Sequence, residues 1–360
     1  MTRFWRSRAV ALTVFLVAFA LVAAACSPGD DAAEETSTTT STTEATTTTT
    51  EAPTTTTTEQ KPQKPYGGDA IVADDEEPPT LNPYAPGGSK TIVSLIGQGY
   101  LTGVQDVDGY TLELIPEVVT ELPTTENGGV EVNDEDGTMT VVYTIKEEAV
   151  WADGTPISGA DFKFTYDLIM DPTQPIGKAT YEDIRPDSID VGPKTFQYTL
   201  AAPTAFYEWI FGTIIPTHSV EGSDFIADWD DTMWVSGGPF MFDQWIKGES
   251  VTLVRNDNYW KTDPMTDQQL PYLDRVTFMF IPDPETIIDS FKAREVDITQ
   301  LGGNFTRDQK IAATATLKSL ESEGAVVEVL SGPMWEHLGF QFGDTRYCLL
   351  YTSPSPRDED

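Results

Sequence analysis

Met139, Val141, Tyr143 and Ile145 alternate with polar or smaller residues. A period of two marks a strand with one buried face, so the pattern predicts a strand over 139–145. A second alternation occupies 195–200, with Phe196, Tyr198 and Leu200 on one face and Thr195, Gln197 and Thr199 on the other. Together with residues 189–191 it predicts a hairpin. Between these strands the period changes. Phe162, Tyr166 and Ile169 recur at i, i+4 and i+7, one face of a helix. Ser158 and Asp161 stand just ahead of that face. A hydroxyl there can accept from an orphan N–H of the first turn, and an acid suits the positive end of the helix dipole. Asp153-Gly154 is a turn dipeptide, because Gly takes positive φ at no steric cost. Residues 150–162 therefore read as strand, tight turn and capped amphipathic helix.

The same punctuation continues on both sides. Gly67-Gly68 opens a strand through Ile71 and Val72, and Pro79 and Pro83 stiffen the loop beyond it. Residues 92–101 predict an apolar helix, residues 206–211 an aromatic helical patch, and residues 251–254 and 276–281 strands. A helix over 284–295 begins with Pro, where a missing N–H is harmless. Thr306 and Gln309 form a second capping box, and Gly324 is a C-terminal stop. Strands alternating with helices predict an α/β fold.

The N-terminal region carries no such pattern. Arg3, Arg6 and Arg8 precede an apolar run, residues 9–22, that is short for a bilayer span. It ends in Ala23-Ala24-Ala25-Cys26, which resembles a bacterial lipobox with Ala23 where Leu is usual. Residues 1–26 are thus expected to be a lipoprotein signal peptide, with lipid attachment at Cys26. Residues 27–64 are dominated by Thr and have almost nothing apolar to bury, so they are expected to be a disordered linker. Residues 348–360 resemble translated sequencing adapter and are expected to be a non-native tail.

Composition narrows the function. The chain has 360 residues, 58 acidic against 22 basic, and a formal charge of −36. Phosphates would be repelled, so nucleic acid is excluded as a partner. Cys26 and Cys348 are the only cysteines, which leaves no disulfide framework and no thiolate metal site. His218 and His337 lack the spacing of a zinc site. Gly237-Gly238-Pro239 lacks the Lys-Ser/Thr of a phosphate loop, and no Ser lies in a G-x-S-x-G frame. Asp153 and Asp161 read as a turn residue and a capping acid rather than a catalytic pair. No cofactor or metal is expected, and the chemistry left is recognition, not catalysis.

Trp151-Ala152-Asp153-Gly154-Thr155-Pro156-Ile157-Ser158-Gly159-Ala160-Asp161-Phe162 resembles a signature of the extracellular solute-binding proteins of family 5, the peptide/nickel-type receptors of ABC importers. Further segments resemble the family in order. They are Gly67-Gly68, Thr80-Leu81-Asn82-Pro83, Gln98-Gly99-Tyr100-Leu101, Ile214-Ile215-Pro216-Thr217-His218, Ser236-Gly237-Gly238-Pro239-Phe240, Arg255-Asn256-Asp257-Asn258-Tyr259-Trp260 and Leu338-Gly339-Phe340. The resemblance implies an α/β, periplasmic-binding-protein-like architecture of class II, with an extra subdomain. Residues 65–347 would be the first lobe, residues 105–205 its inserted subdomain, and the second lobe is expected to be missing. It also implies oligopeptides or a similar small solute as ligand and ABC permease subunits as partners. The membrane would be reached through the lipid anchor, on the outer face of the cytoplasmic membrane. By resemblance Gln98, Gly99 and Tyr100 form a cleft-facing turn, with Gly99 allowing close backbone approach, and Met334 and Trp335 belong to a second cleft strand. Gln98 stands where the family commonly has Glu. The competing readings are a transporter-independent surface sensor and a surface hydrolase.

Overall fold

The computed structural model describes residues 61–329 except Tyr110 and Asn304. Cys26, most of the Thr-rich span, Met334, Trp335, His337, the strand expected at 338–342 and the tail from Cys348 lie outside the described residues.

In chain order the elements are β1 (Asp69–Asp74), α1 (Thr91–Gly97), β2 (Gln105–Val107), β3 (Leu114–Pro116), β4 (Val130–Asn133), β5 (Thr138–Thr144), α2 (Gly159–Met170), β6 (Asp190–Val191), β7 (Thr195–Leu200), α3 (Thr217–Val220), β8 (Phe240–Ile246), β9 (Ser250–Arg255), β10 (Arg275–Phe280), α4 (Pro284–Ala293), β11 (Ile298–Thr299) and α5 (Arg307–Ser319). They build two larger sheets. A five-stranded sheet has the order β11-β1-β10-β9-β8, and a four-stranded sheet the order β4-β5-β7-β6; β2 and β3 pair alone. The first draws its strands from residues 69–74 and 240–299, the second from 130–200. Within the first, β1 runs parallel to both β10 and β11, whereas β9 is antiparallel to β10 and β8. The second is wholly antiparallel.

The predicted alternations hold. Met139, Val141 and Tyr143 face Leu200, Tyr198 and Phe196 across the β5–β7 ladder. Those inward side chains, with Phe162, Phe211 and Trp151, form the core on one side. A second core gathers Leu81, Ile92, Ile96, Tyr100, Leu253 and Phe278 against the five-stranded sheet. Helix α2 serves both, because Phe162 and Tyr166 pack into the first core and Ile169 into the second. A helix face that turns across its length can do this, and it couples two sheets that would otherwise pack separately.

Three expectations change in detail, and one contact falls outside the sequence pattern. Helix α1 ends at Gly97, so 98–101 is a turn, not the last stretch of a helix. Residues 205–209 make a single 3₁₀ turn that leaves Phe206 and Trp209 exposed while Ile210 and Phe211 go inward. The apolar run there serves two surfaces and cannot sustain one helical face. Residues 61–64, expected within the linker, make defined contacts: Lys61 donates to Pro264 O (2.8 Å), and Lys64 both donates to Asp263 (2.9 Å) and exchanges main-chain bonds with the Gln268 amide. Hydrogen bonds from Lys64, Met265 N–H and Tyr272 hold the Asp263 carboxyl at about 2. Finally, Lys194 was unremarked by pattern, yet its ammonium donates to Lys146 O (2.9 Å), Ile157 O (3.1 Å) and Ala149 O (3.3 Å), closing the loop that leads into α2.

Trp151 lies within this loop and is fully buried. Replacing it by Ala removes the largest side chain of its core, so Trp151→Ala should cost about 3–5 kcal/mol. Thermal or urea unfolding measures this, and a midpoint unchanged from wild type would place Trp151 outside the core.

Candidate functional site

Several of the family-like segments meet at one junction, and its centre is the buried Asp161. Asp161 closes the capping box of α2, its Oδ2 accepting from Ser158 N–H at 3.0 Å. The same oxygen receives Trp151 Nε1–H at 3.4 Å, and Oδ1 receives Thr217 N–H at 3.0 Å. One turn on, Thr165 Oγ1 donates to Asp161 O (2.7 Å) and accepts from Ile215 N–H (2.8 Å). The first turn of α2 therefore holds the Trp151 loop and the Ile214–His218 segment together. The His218 ring lies against Asp153 Oδ2 at 3.0 Å, on the outside of that joint.

From Trp151 the connections run onward. Ala152 N–H donates to Ser236 O (2.8 Å), and Asn258 Nδ2 donates to Ala152 O (2.7 Å). Asn256 Nδ2 donates to Gly238 O (2.8 Å). Gly237 and Gly238 are required by crowding: a Cβ on Gly237 would stand 2.2 Å from Thr102 Cγ2 and 2.8 Å from the Trp151 ring, and one on Gly238 would stand 2.7 Å from Gly99 O. These glycines let two main-chain segments cross.

The turn expected to face the cleft is packed against the rest of the fold. The Tyr100 ring is buried in the second core, and its hydroxyl donates to Leu81 O at 2.8 Å. Burial pushes the phenol pKa well up. Tyr100 O is already taken by Gly237 N–H and Ser236 Oγ, both at 3.1 Å. Gly99 is small because of Leu253, whose Cδ1 would lie 2.4 Å from a Cβ, and its N–H and C=O bond to Ile96 O and Phe240 N–H. The close approach is to the sheet. Of the three turn residues only Gln98 exposes its side chain. Met334 and Trp335 lie outside the described residues.

A feature that the sequence reading passed over stands at the carboxyl ends of the parallel strands, where open α/β sheets present ligand crevices. β1 ends in Asp74 and runs on into Asp75, Glu76 and Glu77; the first two are buried. Asp74 Oδ2 accepts from Gln300 Nε2 (2.6 Å), just past β11, and Oδ1 accepts from Glu76 N–H (3.0 Å). Glu77 Oε1 accepts from Trp245 Nε1 (3.0 Å) and Gly248 N–H (2.8 Å). Gly302 lies against Asp75, where a Cβ would stand 2.3 Å from Oδ1. Burial raises the Asp74 pKa, the bonds from Gln300 and Glu76 oppose that rise, and the charges of Asp75 and Glu76 add to it. The legible signal was four consecutive acids directly after an apolar strand. Asp74 and Glu77 are thus engaged within the fold, and Glu76 and Glu77 are half-buried.

A carboxyl whose pKa is raised by folding favours the native state when protonated and opposes it when charged. That contribution is present below the ordinary pKa of 3.8 and is lost as pH rises through the folded value. Asp74→Asn should therefore raise the melting temperature at neutral pH, with the gain shrinking as pH falls towards 4. Melting curves across that range test it; a gain independent of pH would assign the effect to something other than ionisation.

Comparison with known proteins places this architecture. The family model for bacterial extracellular solute-binding proteins, family 5 Middle, matches residues 101–333. The dipeptide-binding protein DppE of Bacillus subtilis is 24% identical over 182 residues, covering 44% of this chain and 31% of that protein. The periplasmic oligopeptide-binding protein OppA of Salmonella typhimurium is 23% identical over 228 residues, covering 54% of this chain and 41% of that protein. The chain thus spans less than half the length of these relatives. The solved structure of the periplasmic EDTA-binding protein EppA superposes with a TM-score of 0.59 at 23% identity, covering 75% of this chain and 49% of that one, which establishes a shared fold. With the motif segments joined as described and the model matching most of the described residues, the chain belongs to the bacterial extracellular solute-binding proteins of family 5.

Proposed function

We propose that this chain is part of a solute receptor that captures peptides outside the cytoplasmic membrane and delivers them to an ABC permease. Family membership carries the reading, and the two relatives named for dipeptides and oligopeptides favour peptide as the ligand class. Cys26 would bear the lipid anchor, and the Thr-rich span would give the lobe reach from the membrane. The receptor acts by binding and closure, without a chemical step. Extended peptides present N–H groups and an ammonium terminus, which main-chain carbonyls and carboxylates lining a cleft would accept. Gln98 offers an exposed amide from the lobe, and Met334 and Trp335 would supply the second cleft strand.

The test is mass spectrometry of small molecules co-purified with the protein, followed by calorimetry with what is found. Peptides released on denaturation, and rebinding with saturable heat, are the expected result. Recovery of one non-peptidic solute that rebinds would replace the ligand class. If nothing is recovered and no peptide gives heat at millimolar concentration, the receptor reading fails.

A further inference from the structure

A cavity of about 310 Å³ opens on the four-stranded side of the molecule, between the β2–β3 pair, residues 122–124 and the 3₁₀ turn at 205–209. Its floor is apolar, formed by Val104, Leu114, Leu122 and the Tyr143 ring. The polar groups of that floor are satisfied within the fold. Tyr143 Oη bonds to Tyr198 Oη (3.1 Å), and Tyr207 Oη, on the wall, donates to Pro123 O (3.2 Å). Two carboxylates, Glu113 and Glu208, also line the cavity, and both are exposed. Among the described residues no cation pairs with either one. Glu126 adds a third negative charge close enough to act on Tyr207. Phe206 and Trp209 stand 65% and 57% exposed on the turn that carries Tyr207 and Glu208.

This lining specifies what would fill it. The volume sits at the lower end of the range for ligand pockets, about 300–1,000 Å³, and holds one ring-sized body. An apolar floor with no polar group left to satisfy takes hydrocarbon. Ionised carboxylates accept and cannot donate, so the end of the ligand at the mouth must carry N–H donors and positive charge. We propose that this cavity is a binding site for a small organic cation, a primary ammonium on an aromatic or branched aliphatic body. The site is separate from the carboxylates after β1 and does not rest on the peptide-receptor reading.

Calorimetry on the 360-residue chain at pH 7, with 2-phenylethylamine, 2-phenylethanol and 3-phenylpropionate as probes, tests the assignment. The amine should bind with one site per chain, and the isosteric alcohol and the anion at least tenfold more weakly. Glu113→Gln combined with Glu208→Gln should weaken the amine at least tenfold and leave the melting temperature unchanged, since both side chains are exposed. Leu114→Trp, which fills the cavity, should abolish amine binding. Equal binding of alcohol and amine, undiminished binding by the double variant, or no heat with millimolar amine would each overturn the proposal.

Discussion

The junction at Asp161 is the constraint on which the rest of the described structure depends. A buried carboxylate is stable only when its oxygens are satisfied, and here two donors come from the loop just before it, the Trp151 indole and the Ser158 backbone, and a third from the Thr217 backbone, 56 residues on. Each segment in turn fixes another. Trp151 sits over Gly237, which fixes where the Ser236–Phe240 segment crosses the turn at Gly99 and Tyr100. Thr217 brings Ile215 against α2, where Thr165 takes its N–H. Because α2 also packs into both large cores, this cap sets the relation between the two sheets. The motifs that mark the family are thus mostly parts of one joint, and their residue types follow from hydrogen-bond satisfaction and from crowding.

Much of this fold was legible in the sequence because the signals were local. Period-two alternation located β5 and β7, the Ser158–Asp161 and Thr306–Gln309 spacings located the starts of α2 and α5, and Gly324 marked a stop in the left-handed region at φ 96°. The failures were tertiary. Phe206–Phe211 looked like one helical face, but its aromatics divide between core and solvent, a distinction periodicity cannot draw. Lys194 reads as a surface lysine until three carbonyls of a distant loop are seen around it. Lys61 and Lys64 fell inside a span judged by its threonines, while their partners lie about two hundred residues on.

The site was less legible than the fold. Tyr100 and Gly99 have packing roles that the sequence alone does not reveal. A large aromatic beside a glycine in a turn fits a ligand surface or a crossing of main chain equally well, and only burial and the Leu81 hydrogen bond decide between them. Asp74 to Glu77 escaped notice because acids are abundant in this chain, so a run of four carried little weight. Their meaning appears only when β1 is seen parallel to β10 and β11, with its carboxyl end beside Gln300 and Gly302.

The joint at Asp161 is tested most directly by hydrogen exchange on Asp161→Ala. Removing the carboxylate leaves donors from Trp151, Ser158 and Thr217 without their acceptor, each costing about 1–3 kcal/mol if it stays buried. The account predicts that protection falls together in 151–161, 214–220 and 236–240, while the β1–β10 ladder keeps its own. Loss confined to the first turn of α2, with the other two segments protected as in wild type, would contradict it.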